Sequence, residues 1–192
     1  MSGGELMAPE RAQNKRAQNR SVTRTLRLDA ALDQFLAQSA ERAGISPSAL
    51  VNQALRKYVE WDAYAEKFGV VSIPQSLIHR VMDDHSDAQA RELGAWVGRT
   101  HVREFLTFWF KEVSPRTLVQ GYPRLEAKYG RAFEYEERSE GASWVVVLKH
   151  RGGRKWSLYY EELLKAVFKD ILHREITIEW TEHQVVARFS LA

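Results

Sequence analysis

The spacing of hydrophobic residues changes period along the chain, and each change marks an element. Between Ser21 and Leu28, Val22, Leu26 and Leu28 are apolar, while Thr23, Thr25 and Arg27 occupy the alternate positions. This period of two is that of a β-strand, with Arg24 the one break in its apolar face. The spacing then becomes helical. Asp29 stands at an N-cap position, Leu32, Phe35, Leu36 and Ala43 follow, and Gly44 closes the helix. Ser46 caps a second helix with Pro47 in its first turn, and Leu50, Val51, Ala54, Leu55 and Tyr58 form its stripe. Trp61, Ala65 and Phe68 prolong that stripe, so one helix is predicted from about Pro47 to Lys67, with Trp61 in a core.

After Gly69 the pattern predicts a separate folded region. Ser72 to His85 reads as a short helix with Leu77, Ile78, Val81 and Met82 inward, and Asp87 as the cap of another carrying Leu93, Trp96 and Val97. His101 to Val113 is apolar around much of its girth, which predicts burial or a subunit contact. Ser114 and Pro115 restart a helix, interrupted at Gly121 to Pro123. Ala132 to Arg138 alternates, and Ser143 to His150 contains the run WVVVL of a buried strand. Gly152-Gly153 is a turn, Trp156 to Leu172 a strongly amphipathic helix, and Ile176 to Trp180 and Gln184 to Ser190 are strands about Glu182-His183. The predicted class is α+β: helices first, then a β-β-α-β-β unit forming one antiparallel sheet backed by helices.

A lone strand followed by two helices is a poor monomer, because its edges are open and about 40 residues bury too little surface. Pairing two copies of the strand antiparallel gives both chains one core and a two-stranded ribbon whose outer face carries Thr23, Thr25 and Arg27 twice. The major groove of DNA admits such a ribbon. The stretch TRTLRLD, the turn GISPS and the helix start ALVNQAL resemble the ribbon-helix-helix family of transcriptional regulators, over about a fifth of the chain. The resemblance implies a prokaryotic-type regulator that binds double-stranded DNA as a homodimer. Thr23, Thr25 and Arg27 would contact bases, Arg27 a guanine, while Ser46, Pro47 and Ser48 would hold a phosphate. The C-terminal region is similar in element order, and in the helix KWSLYYEELLKAVFKDIL, to 4-vinyl-reductase and transport-particle-like small-ligand domains. A ferredoxin-like regulatory domain, as in nickel-responsive repressors of the same family, fits less well, because this region is too long and its helices come first.

Charge sharpens this picture. The formal net charge of the 192 residues is +3, too small to demand a general polyanion surface. Yet Arg11, Lys15, Arg16, Arg20, Arg24 and Arg27 lie between Arg11 and Leu28 with no acid among them. Residues 1–20 are therefore expected to form a disordered basic arm, with Arg16 and Arg20 touching phosphates; residues 21–68 the DNA-binding module; and residues 72–192 a sensing or oligomerising domain. The absence of cysteine excludes disulfides and thiolate metal sites, and with no signal peptide or membrane span in view the expected compartment is cytoplasmic.

Catalytic and metal chemistry finds little support. His79, Asp83, Asp84 and His85 are too loosely spaced for a metal site and read as a solvated helix end. Glu161 with Lys165 is an i,i+4 pair. No serine, histidine and acid set has a recognisable context, so no catalytic residue, metal or cofactor is expected. Trp96, Trp109, Trp144, Trp156 and Trp180 read as core, or as the lining of a pocket for a small apolar effector. The expected function is sequence-specific DNA binding by a dimer, with higher assembly through the C-terminal domain a further option. Two alternatives stay open: a protein-binding module of antitoxin type, and a small-ligand-binding protein whose N-terminus only dimerises.

Overall fold

The computed structural model describes residues 22–190. These divide into two compact units between Val51 and Asn52.

In the first unit, residues 22–29 are exposed and belong to neither helix nor strand, with no ladder partner among the described residues. Helix α1, Ala30–Ala43, begins as the sequence predicts: the Asp29 side chain accepts from the Leu32 N–H at 2.8 Å. It ends at Gly44, whose φ of 66° is left-handed and costs glycine nothing. Helix α2 is Pro47–Lys57, and the Ser46 hydroxyl caps it by accepting from the Ala49 N–H. The helical run continues through a π-type turn, Tyr58–Asp62, into α3, Ala63–Phe68, and stops at Gly69 with φ 83°.

The second unit takes in that continuation. Trp61 and Ala65 are buried against Phe105 and Trp109, and the Trp109 indole N–H donates to the Glu60 carbonyl at 3.0 Å. Compactness therefore divides the chain inside α2, earlier than the boundary expected between residues 68 and 72. Helices α4 (Gln75–Asp83), α5 (Asp87–Arg99) and α6 (His101–Phe110) follow. The cap of α5 is Ser86 and not Asp87: Ser86 and Gln89 form a reciprocal capping box, and Asp87 is the first helical residue. The interruption expected at Gly121 to Pro123 is also absent. A π-type turn at Thr117–Gly121, α7 (Tyr122–Leu125) and a second π-type turn at Glu126–Gly130 form one helical run. Pro123 is tolerated because the wide turn before it leaves room for the ring, whose missing N–H falls near a helix start.

The expected β-β-α-β-β unit is present: β1 (Glu134–Glu140), β2 (Ser143–Lys149), α8 (Arg154–Val167, with a π-type turn to Leu172), β3 (Thr177–Thr181) and β4 (Gln184–Ser190). The strands form one antiparallel sheet in the order β1-β2-β4-β3. Val146 and Leu148 of β2, and Val185, Ala187 and Phe189 of β4, point inward in strict alternation onto Leu163, Val167 and Phe168 of α8.

Helices α5 and α8 run in the same direction. Arg154 pairs with Asp87 near their starts, and Arg91 bridges Glu161 and Glu162 further along. Their seam is in backbone contact. A Cβ built on Gly94 would lie 2.1 Å from the Tyr159 carbonyl oxygen, and one on Gly98 2.6 Å from that of Leu163. Neither obstacle is a flexible side-chain end, so Gly94→Ala or Gly98→Ala should cost at least about 1–3 kcal/mol by overpacking. Urea unfolding of each variant tests this; a midpoint equal to the parent's contradicts so close a seam.

Candidate functional site

In the first unit, Thr23, Thr25 and Arg27 are all exposed on the segment that leads into α1, two residues apart. Extended backbone puts such residues on one face. Arg16 and Arg20 lie outside the described residues. Ser46, Pro47 and Ser48 are exposed at the start of α2. Pro47 has no N–H, so hydrogen bonds from this turn to a phosphate can come only from Ser46 and Ser48. The apolar residues of the unit have little to pack against: Leu26 is 58% exposed and Phe35 61%.

The second unit has a half-open cavity of about 440 Å³ between α5, α6, the Thr117–Gly130 run, the sheet and α8. Trp96, Trp156, Tyr122, Tyr159, Tyr160 and Glu126 are among its walls. Two of the five tryptophans singled out in the sequence therefore border it. Trp109 belongs instead to the cluster around Trp61, while Trp144 and Trp180 pack against the sheet core. Phe105 and Trp109, candidates for a subunit contact, are buried within the chain, with their rings stacked at 4.2 Å. The carboxyl group of Glu126 is the notable wall component. Burial pushes its pKa up to about 7. Its charge and burial together hold the phenols of Tyr122, Tyr159 and Tyr160 above their ordinary range, burial being the larger cause.

The sequence reading missed Glu126 because a break expected at Gly121 to Pro123 hid the helical register. With the run continuous, Glu126 falls four residues after Tyr122, one turn along the same face.

One pair outside the cavity looks catalytic but is wired otherwise. His150 Nε2 lies 3.0 Å from Ser157 Oγ, as a base and its nucleophile would. However, the Gly152 N–H donates to His150 Nδ1, so Nε2 carries the proton and donates to Ser157. The Ser157 hydroxyl in turn donates to the Thr181 carbonyl at 2.6 Å. The chain of donors runs away from the histidine, which suits a tie between β2, α8 and β3 and not a general base. Burial, with smaller contributions from His183 and His79, lowers the His150 pKa to about 4. Among the described residues, no group of three or more histidines and carboxylates could hold a metal, and no helix is long and apolar enough to cross a membrane. Glu161 forms the expected pair with Lys165 at 2.8 Å, though it is buried and shared with Arg91.

No family model and no curated protein matches the chain.

Glu126 and His150 make opposite contributions to stability. Below the ordinary histidine value of 6.5 the unfolded chain takes up His150's proton first, so this contribution is lost as pH falls towards 4. The folded chain holds the Glu126 proton more tightly, so that contribution is lost as pH rises from 4.5 towards 7. Between pH 4.5 and 6.5 the two slopes oppose each other. Relative to the parent, Glu126→Gln should make stability rise more steeply with pH across this window, and His150→Gln should make it fall, each by up to about 1.4 kcal/mol per pH unit. Denaturant midpoints over that window check it; profiles parallel to the parent's would refute both assignments.

Proposed function

We propose that the protein is a DNA-binding regulator of the ribbon-helix-helix kind, active as a homodimer. The observation that carries this reading is the combination of complete helix caps and unburied apolar residues in the first unit. Asp29, Gly44 and Ser46 terminate their helices correctly, yet Val22, Leu26, Leu28, Leu32 and Phe35 are exposed in the single chain. A second copy supplies what is missing. Residues 22–28 of two chains pair as an antiparallel ribbon, its apolar face closes over both sets of helices, and its other face presents Thr23, Thr25 and Arg27 twice. The ribbon lies in the major groove, where Arg27 donates two hydrogen bonds to guanine and the threonines contact neighbouring bases. Ser46 and Ser48 at the helix start, with Arg16 and Arg20 on the arm, hold phosphates and set the register. The second unit is the sensing domain, and its cavity holds the effector.

Arg27→Ala separates base reading from backbone binding. On a duplex selected from a random pool the variant should lose about 1–3 kcal/mol per guanine contact, and much less on unselected DNA. Anisotropy titrations at one salt concentration measure both. Equal losses would make Arg27 a phosphate contact. No loss on either would replace DNA reading by dimerisation as the role of the N-terminal module.

A further inference from the structure

The cavity walls carry a one-sided set of charges. Glu126 is their single carboxylate, and no lysine or arginine is among the described residues that border the cavity. Two neighbouring cations are engaged elsewhere: Arg124 pairs with Glu137, and Lys128 with Glu60 at 3.1 Å. Gly130 makes room for the carboxylate, since a Cβ built there would lie 2.5 Å from Glu126 Oε2. Three aromatic rings of the same wall meet one another. Tyr159 and Tyr160 stand edge to face at 5.0 Å, and Trp156 lies 5.3 Å from Tyr159 and 5.7 Å from Tyr160. Aromatic faces carry partial negative charge and add to that of the carboxylate, while the buried Trp156 indole N–H, which has no hydrogen-bond partner, is the wall's contribution of opposite sign.

We propose that this cavity binds an organic ammonium ion with an apolar body, its nitrogen set against Glu126 and the aromatic faces of Tyr122, Tyr159 and Tyr160. An anionic ligand would meet charge of its own sign. A neutral apolar ligand would fill the space but leave the carboxyl group without a partner. Burial favours the protonated acid, and an entering cation favours the carboxylate, so binding below neutrality should expel a proton. The titratable groups that share the cavity wall with Glu126 are His101 and the phenols of Tyr122, Tyr135, Tyr159 and Tyr160; burial raises the phenols further, so they stay protonated throughout that range. This inference goes beyond the DNA-binding proposal, since its test contains no DNA.

Phenyltrimethylammonium and its neutral isostere tert-butylbenzene differ in charge at nearly equal shape. Calorimetry on the full chain should show the cation binding at least about tenfold more tightly. At about pH 6, titrations in buffers of different ionisation enthalpy should show proton release with the cation and none with the isostere. Glu126→Gln should remove most of the cation's advantage, abolish proton release and leave the isostere within about threefold. Equal affinity of the two probes for the parent protein would overturn the proposal whatever the variant does. So would cation binding without proton release, or a variant that weakens both probes alike.

Discussion

The second unit depends on the backbone contact between α5 and α8. Gly94 and Gly98 allow the two helices to approach until a side chain on one would strike a carbonyl of the other. Charged pairs at Asp87–Arg154 and Arg91–Glu161 hold the same register from outside, though such half-exposed pairs add modestly. Once α8 is placed against α5, its inner face covers the sheet through Leu163, Val167 and Phe168, while Tyr159 and Tyr160 are carried to the edge of that core. The cavity follows from this arrangement. Where α5 and α8 touch there is no space; where they diverge from the Thr117–Gly130 run, bulky rings bridge the gap without filling it.

That run treats its carboxylate neighbours in opposite ways. Glu126 turns towards the cavity, where burial favours the proton. Lys128 and Tyr129, from the same turn, donate to Glu60 of the Tyr58–Asp62 turn at 3.1 and 2.7 Å. Burial raises the Glu60 pKa, but the hydrogen bonds from Tyr129, Lys128 and Arg56 outweigh it and hold that carboxylate below its ordinary range. A ligand that changes the charge on Glu126 therefore acts on the same five-residue turn that supplies Lys128 and Tyr129 to Glu60. Such a shared turn is a physical element through which a cavity ligand and the Tyr58–Asp62 segment can influence each other.

Much of the fold was legible because local rules acted alone. Asp29, Gly44 and Ser46 end their helices where side-chain chemistry requires, and Val146, Leu148, Val185 and Ala187 alternate because one sheet face is buried. Trp61 reads as core and is 6% exposed. The failures came where two local signals competed. At Gly121 to Pro123 two helix breakers suggested a gap, but a widened turn absorbed them and kept the helix running. At Ser86, the adjacent acid in Asp87 concealed a better cap. The cavity had no local signal, since it depends on the distance between α8 and a helix some forty residues earlier, which hydrophobic spacing does not encode. The proposed ribbon differs again: its alternation is plain in the sequence, but a ladder needs a second strand.

The account rests most heavily on that second strand. Native mass spectrometry of the full chain, alone and with a duplex selected from a random pool, counts subunits and bound DNA together. The account predicts a dimer at micromolar concentration and two chains, or an even multiple, on each duplex. A folded monomer at that concentration, or a single chain on the duplex, would contradict it.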